Sequence, residues 1–135
     1  MQNIGFIGTG LMGFPMAKNI LKAGYKVRAF NRSKNKAEPL KDFGAEISNS
    51  IRELVKESHV VITMLTNDDA VNEVLGSDEF LNNLKPNSTV IDMSSVKQTT
   101  AVNHGKNLKS RKINYLDAPV SCLLYTSDAA DDDHC

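Results

Sequence analysis

Gly8, Gly10 and Gly13 fall within six positions near the start of the chain, and no other feature constrains its fold as strongly. They follow the apolar run Ile4-Gly5-Phe6-Ile7 and lead at once into a helical pattern. That order predicts a buried strand, a tight turn, and a helix whose first amides face the turn. Gly8 lets the chain reverse sharply. Gly10 lets a pyrophosphate approach bare backbone, and Gly13 lets the helix pack closely. Unpaired N–H groups and the positive end of the helix dipole make such a turn an anion site. The same turn also occurs as plain connection geometry, so the rest of the chain must decide between the two readings.

Downstream, strands and helices alternate. Leu11, Met12, Met16, Ala17, Ile20 and Leu21 recur at helical spacing and predict a first helix from Leu11 to Ala23, stopped by Gly24. Tyr25–Phe30 reads as a second strand and Lys34–Phe43 as a polar helix stopped by Gly44. Ala45–Ile47 is a short third strand, and Ser48 or Ser50 caps a helix over Ile51–Glu57. His59–Leu65 is apolar on both faces, as in a parallel sheet covered on each side. A helix carrying Ala70, Val71, Val74 and Leu75 follows, then a short one over Asp78–Leu84. Ser88–Met93, Lys97–Lys109 and Tyr115–Ala118 complete the alternation as strand, helix and strand. The expected fold is α/β, a doubly wound parallel sheet of Rossmann type in the order 3-2-1-4-5-6.

Composition narrows the function classes. The chain has 135 residues with 16 basic and 16 acidic side chains. Four of the acids lie in residues 122–135, which hold no Lys or Arg; the preceding 121 residues therefore carry 16 basic and 12 acidic groups, a net of +4. That excess suits a polyanionic small molecule and is too small for nucleic acid. Both cysteines, Cys122 and Cys135, are in the same tail, and the three histidines are scattered, so no metal site is expected. No run is long and apolar enough to span a bilayer, and no basic n-region precedes the first strand. The expectation is a cytoplasmic protein with no membrane or nucleic-acid partner.

The end of the second strand selects the dinucleotide. NAD sites place Asp or Glu there to accept hydrogen bonds from the ribose 2′-hydroxyl. This chain has Asn31, 18 residues beyond Gly13, followed by Arg32, Ser33 and Lys36. A carboxylate would repel a 2′-phosphate; Asn does not, and Arg grips one with parallel hydrogen bonds. The pattern favours NADP(H) over NAD(H), against the plainer alternative that Arg32 is a solvated loop residue. It also disfavours methyltransferase-type and flavin-type versions of the turn, which want an acid here.

The segment Phe6-Ile7-Gly8-Thr9-Gly10-Leu11-Met12-Gly13-Phe14-Pro15-Met16-Ala17-Lys18-Asn19-Ile20 resembles the N-terminal signature of the β-hydroxyacid dehydrogenases. That family includes 3-hydroxyisobutyrate dehydrogenase, glyoxylate/succinic semialdehyde reductases and, more distantly, 6-phosphogluconate dehydrogenase. Thr9 stands where Leu is usual. Asn31-Arg32-Ser33 resembles the NADP-preferring branch. Val61–Leu65, Asp92-Met93-Ser94-Ser95 and Asp117-Ala118-Pro119-Val120-Ser121 resemble three further family segments. The resemblance implies that Gly8, Thr9, Gly10, Leu11, Met12 and Gly13 cradle the pyrophosphate and approach the nicotinamide. It implies that Asn31, Arg32, Ser33 and Lys36 hold the adenosine end, and that Met64, Leu65 and Asn67 pack along the cofactor. Ser95 would sit near the nicotinamide and Ser121 would bind a small hydroxyacid or semialdehyde substrate.

The resemblance stops after Ser121. The family continues with two glycines; this chain has Cys122 and Leu123. Residues 1–121 are therefore expected to form the dinucleotide-binding domain, and 122–135 to be a scar from read-through or a frame shift. In the family an all-helical second domain follows, carries the lysine that acts as general acid/base, and builds homo-oligomers. No lysine among residues 1–121 matches that motif. The expectation is a chain that binds cofactor and turns over substrate very poorly, with no catalytic residue of its own. The alternatives are a non-catalytic NADP-binding scaffold of the same family and a cofactor-free doubly wound domain.

Overall fold

Central strands buried along consecutive residues, as Ile4–Ile7 and Val61–Thr63 are, require helices above and below the sheet. The computed structural model describes residues 3–10 and 12–119 and shows that arrangement. Six parallel strands run in the order β3-β2-β1-β4-β5-β6. They are β1 (Asn3–Ile7), β2 (Lys26–Phe30), β3 (Glu46–Ile47), β4 (Val60–Thr63), β5 (Thr89–Asp92) and β6 (Asn114–Asp117). The order is the expected one. The expectations for Leu11, Ser121 and the tail lie outside the described residues.

The two sheet faces bury different helices. On one face, Phe6, Val27, Ala29 and Ile62 pack with Ala17 of α1 (Gly13–Lys22) and with Leu40. On the other, Ile7, Val61 and Val90 pack with four helices: α3 (Ile51–Lys56), α4 (Asp68–Leu75), α5 (Asp78–Leu81) and α6 (Gln98–Ser110). Their contributions are Leu54 and Val55, Val71 and Leu75, Phe80, and Leu108. The change of face falls where the chain returns from edge strand β3 to lie beside β1. That switch point opens a crevice beyond the carboxyl ends of β1 and β4.

Two element boundaries differ from the sequence reading for local reasons. The helix expected over Lys34–Phe43 is split into α2 (Lys34–Ala37) and a 3-10 segment, Glu38–Phe43. Pro39 sits in the first turn of the second piece, and its missing N–H cannot continue the α-helical ladder. The fourth strand ends at Thr63 instead of Leu65. The Met64 amide still bonds the Ile7 carbonyl at 2.9 Å, but the Leu65 amide turns away to the Ser94 hydroxyl at 2.8 Å.

Helices α4 and α6 are tied together by two titratable groups. Asp68 Oδ2 accepts from the Lys97 amide at 2.9 Å and from the Thr100 hydroxyl at 2.7 Å. The Lys97 amide, the Thr100 hydroxyl and the Lys97 charge hold the Asp68 carboxyl below its ordinary value. His104 Nε2 meets Asn72 Oδ1 at 2.7 Å, and burial pushes this imidazole down, with Asp92 opposing more weakly. A depressed imidazole is neutral in the fold and charges more easily when unfolded. Its contribution is therefore complete above its ordinary value near 6.5 and lost as pH falls below it. Asp68 follows below its ordinary value of 3.8. Urea melts between pH 7.5 and 5 should show stability falling with acid, and His104→Gln should flatten that limb. An equally steep limb in the variant would assign the effect elsewhere.

Candidate functional site

The crevice at the switch point is a cleft of about 780 Å³, within the size range of small-molecule and cofactor sites. Its floor is the glycine turn. Gly8 has φ +99°, and a Cβ built on it would lie 2.1 Å from the Met64 carbonyl oxygen. A Cβ on Gly13 would lie 2.0 Å from the Gly8 carbonyl oxygen. These two glycines close the turn onto β4 and onto itself. Gly10 differs: it is exposed, and a Cβ there would meet nothing within 4 Å. Bare backbone at Gly10 faces the cleft, with α1 starting beyond it. Side chains of Ser50, Asn67 and Ser77 cap α3, α4 and α5, whereas Met12 gives α1 no side-chain cap, and no acid lies in its first turn. The positive end of this ten-residue helix is thus left to the cleft.

One wall comes from the end of β2. Arg32, Ser33 and Lys36 all line the cleft, and no carboxylate lies between Asn31 and Lys36. The Arg32 side chain is 80% exposed and reaches across the mouth to Glu73 of α4, Nη2 to Oε1 at 2.5 Å. Asn31 lines the cleft too, but both ends of its amide are engaged within the chain. Its Oδ1 accepts from the Thr9 amide at 2.9 Å, and its Nδ2 donates to the Ser33 carbonyl at 3.0 Å. Asn31 therefore braces the glycine turn against the β2 loop.

The opposite wall is set by a buried carboxylate. Asp92, at the end of β5, is fully buried. Its Oδ1 accepts from the Thr63 hydroxyl at 2.9 Å and from the Ser94 amide at 3.1 Å. Ser94 in turn holds the Leu65 amide. The chain exits of β4 and β5 are thereby locked together, with Met64, Leu65 and Ser95 presented to the cleft. Nearby, burial first and then Asp92 and Asp117 push the Tyr115 phenol far up, so it stays neutral. Burial and Asp92 also push Asp117 up.

Of the residues expected at the cofactor, Gly8, Gly10, Met12, Gly13, Asn31, Arg32, Ser33, Lys36, Met64, Leu65 and Ser95 share this one cleft. Thr9 and Asn67 do not line it. The Thr9 side chain turns inward and is 2% exposed, and its amide is taken by Asn31. Asn67 spends its side-chain oxygen on the Ala70 amide at the start of α4. Sequence reasoning missed Ile7, Phe30, Ile51, Thr66, Ala70, Glu73, Val74, Ser77 and Glu79. For α4 the signal was present: residues 70, 73 and 74 lie on one helical face directly after the switch-point strand. Among the described residues no group of His, Cys, Asp and Glu could hold a metal ion, and no helix is long and apolar enough to cross a membrane.

Residues 3–122 match the family described as the NAD binding domain of 6-phosphogluconate dehydrogenase. Over 119 residues the chain is 39% identical to a probable 3-hydroxyisobutyrate dehydrogenase-like protein of Arabidopsis thaliana, covering 87% of this chain and 37% of that one. Mycobacterium tuberculosis 3-hydroxyisobutyrate dehydrogenase with L-serine superimposes with a TM-score of 0.84 at 35% identity, covering 90% of this chain and 41% of that one. An imine reductase of Myxococcus stipitatus in complex with NADP+ does so with a TM-score of 0.80 at 29% identity, covering 85% and 39%. The chain thus spans about two fifths of the length of these relatives. A family match across the whole sheet, joined to the shared backbone of a mycobacterial dehydrogenase, decides the question: the chain belongs to the 6-phosphogluconate dehydrogenase-like, β-hydroxyacid dehydrogenase family, as a nucleotide-binding domain.

Proposed function

We propose that this chain binds NADP(H) in preference to NAD(H) and forms the coenzyme half of an oxidoreductase acting on small β-hydroxyacids or the matching semialdehydes. The cradle fits a dinucleotide: open backbone at Gly10, the uncapped start of α1, and a cleft of suitable volume. When bound, the nicotinamide supplies hydride transfer, and the protein positions it. Gly10, Met12 and Gly13 would hold the pyrophosphate in the turn that Gly8 closes, Met64 and Leu65 would pack along the dinucleotide, and Ser95 would orient the nicotinamide end. By the family resemblance Ser121 would contact the substrate.

The observation that carries the choice of coenzyme is the β2 loop. An exposed guanidinium at Arg32 and an ammonium at Lys36 line the adenosine end, where NAD sites carry a carboxylate. The imine reductase relative holds NADP+ and a variant of it holds NAD+, which supports a nicotinamide dinucleotide here and leaves the choice between the two to the β2 loop. Lys36, the lysine that lines the cleft, stands at that same end and is remote from Ser95 in the sequence. Among the described residues no lysine other than Lys36 lines the cleft, and the chain alone is accordingly expected to bind coenzyme and to turn over substrate very poorly.

Titration of the purified chain with each coenzyme, followed by nicotinamide fluorescence, tests the proposal. NADPH should bind saturably and about 10–100-fold more tightly than NADH, the scale of one charge-assisted contact to phosphate. Tighter NADH binding overturns the preference, and absence of saturable binding by either coenzyme overturns the whole reading.

A further inference from the structure

Arg32 does not wait in solvent for a phosphate. It is ion-paired across the cleft mouth with Glu73, 41 positions later in the chain. Glu73 belongs to the α4 face that also supplies Ala70 and Val74 to the same cleft. The two sides of the adenosine end are thus bridged by one contact between opposite charges. We propose that Glu73 sets the coenzyme selectivity of this site by competing with the 2′-phosphate for the Arg32 guanidinium, an inference that rests on the NADP(H) reading.

The reasoning is electrostatic and geometric. A guanidinium grips phosphate best with two parallel N–H donors. The edge carrying Nη2 is already bonded to a carboxylate. A 2′-phosphate must share or displace that bond, and it brings a dianion close to the Glu73 charge. A ribose with a free 2′-hydroxyl makes neither demand and leaves the ion pair in place. Glu73 therefore opposes NADPH and is indifferent to NADH. Both side chains are well exposed, 80% for Arg32 and 65% for Glu73, so screening keeps the effect modest. Exposed pairs of this kind support a shift of up to about 5-fold.

The test is a set of four proteins, wild type, E73Q, R32A and R32A/E73Q, each titrated with NADPH and NADH at one fixed ionic strength. E73Q should tighten NADPH about 2–5-fold and move NADH less than about 1.5-fold. In the R32A background the same substitution should move NADPH less than about 1.5-fold. Unchanged or weaker NADPH binding by E73Q overturns the inference. So does equal tightening of both coenzymes, which marks a general charge effect, or an equal gain without Arg32. The wild-type ratio alone judges the NADP(H) reading. A wild type that prefers NADH refutes that reading, while the change of ratio on E73Q still judges Glu73 by itself.

Discussion

Gly8→Ala should cripple the fold, whereas Gly10→Ala should leave the fold intact and remove coenzyme binding. The two glycines are two positions apart in one turn, yet the space around them is opposite. At Gly8 a methyl would sit 2.1 Å from the Met64 carbonyl oxygen and 3.2 Å from Leu65 Cδ2, on a backbone at φ +99°. Met64, just past β4, is held by its amide bond to the Ile7 carbonyl, and the turn is held by the Gly8 amide bond to the Phe30 carbonyl, so neither side yields without straining a backbone bond. Overpacking and a disallowed φ together cost on the order of 3–5 kcal/mol. That is a large share of the roughly 5–15 kcal/mol that holds such a domain together. The expected melting temperature falls by about 10–25 °C. At Gly10 a methyl meets no described atom within 4 Å beyond its chain neighbours, so the expected change in melting temperature is within a few degrees of zero. The methyl would instead occupy the space where a pyrophosphate approaches backbone, and NADPH affinity should drop by about 100-fold or more. Thermal melts and NADPH titrations of both variants check this. A Gly10→Ala protein that binds normally would remove the glycine turn from the site.

The fold was legible because its signals are local and agree with one another. The glycine turn, the two-faced strand at Val60–Thr63 and the strict alternation each point to one topology, and together they predict the observed strand order. Pro39 was the missed local signal, and it shortened α2. The site was legible only as far as backbone placement decides it. Glycines at the end of β1 and the loop after β2 must lie at the switch point whatever their side chains do. Side-chain commitments were not readable. Asn31 and Thr9 are 22 positions apart, and nothing in either segment announces that one supplies the oxygen for the other's amide. Asn67 was expected along the cofactor from the family resemblance, but an Asn just before a helix serves first as its cap. The place of Glu73 beside Ala70 and Val74, directly after the switch-point strand, was readable, but nothing in that helix announces Arg32 as its partner.

Arg32→Ala should weaken NADPH about 30–100-fold and NADH less than about threefold. The side chain is 80% exposed, and its ion pair is to Glu73, itself at the surface. Removing it leaves no cavity, so stability should change by no more than about 0.5–1 kcal/mol. The loss of NADPH binding therefore reports on recognition and not on folding. Arg32→Lys separates charge from geometry. Lysine keeps the positive charge but offers a point contact in place of a planar fork. It should recover part of the affinity, leaving a deficit of about 3–10-fold. Ser33 and Lys36 line the same end and should set the affinity that survives in Arg32→Ala. Salt provides an independent readout. If a guanidinium–phosphate contact carries the preference, raising ionic strength should erode wild-type NADPH affinity more steeply than that of Arg32→Ala, while NADH changes little in either. Equal losses of both coenzymes in Arg32→Ala would mean that Arg32 grips a part common to both, such as the adenine face, and the 2′-phosphate would need another partner on the cleft wall.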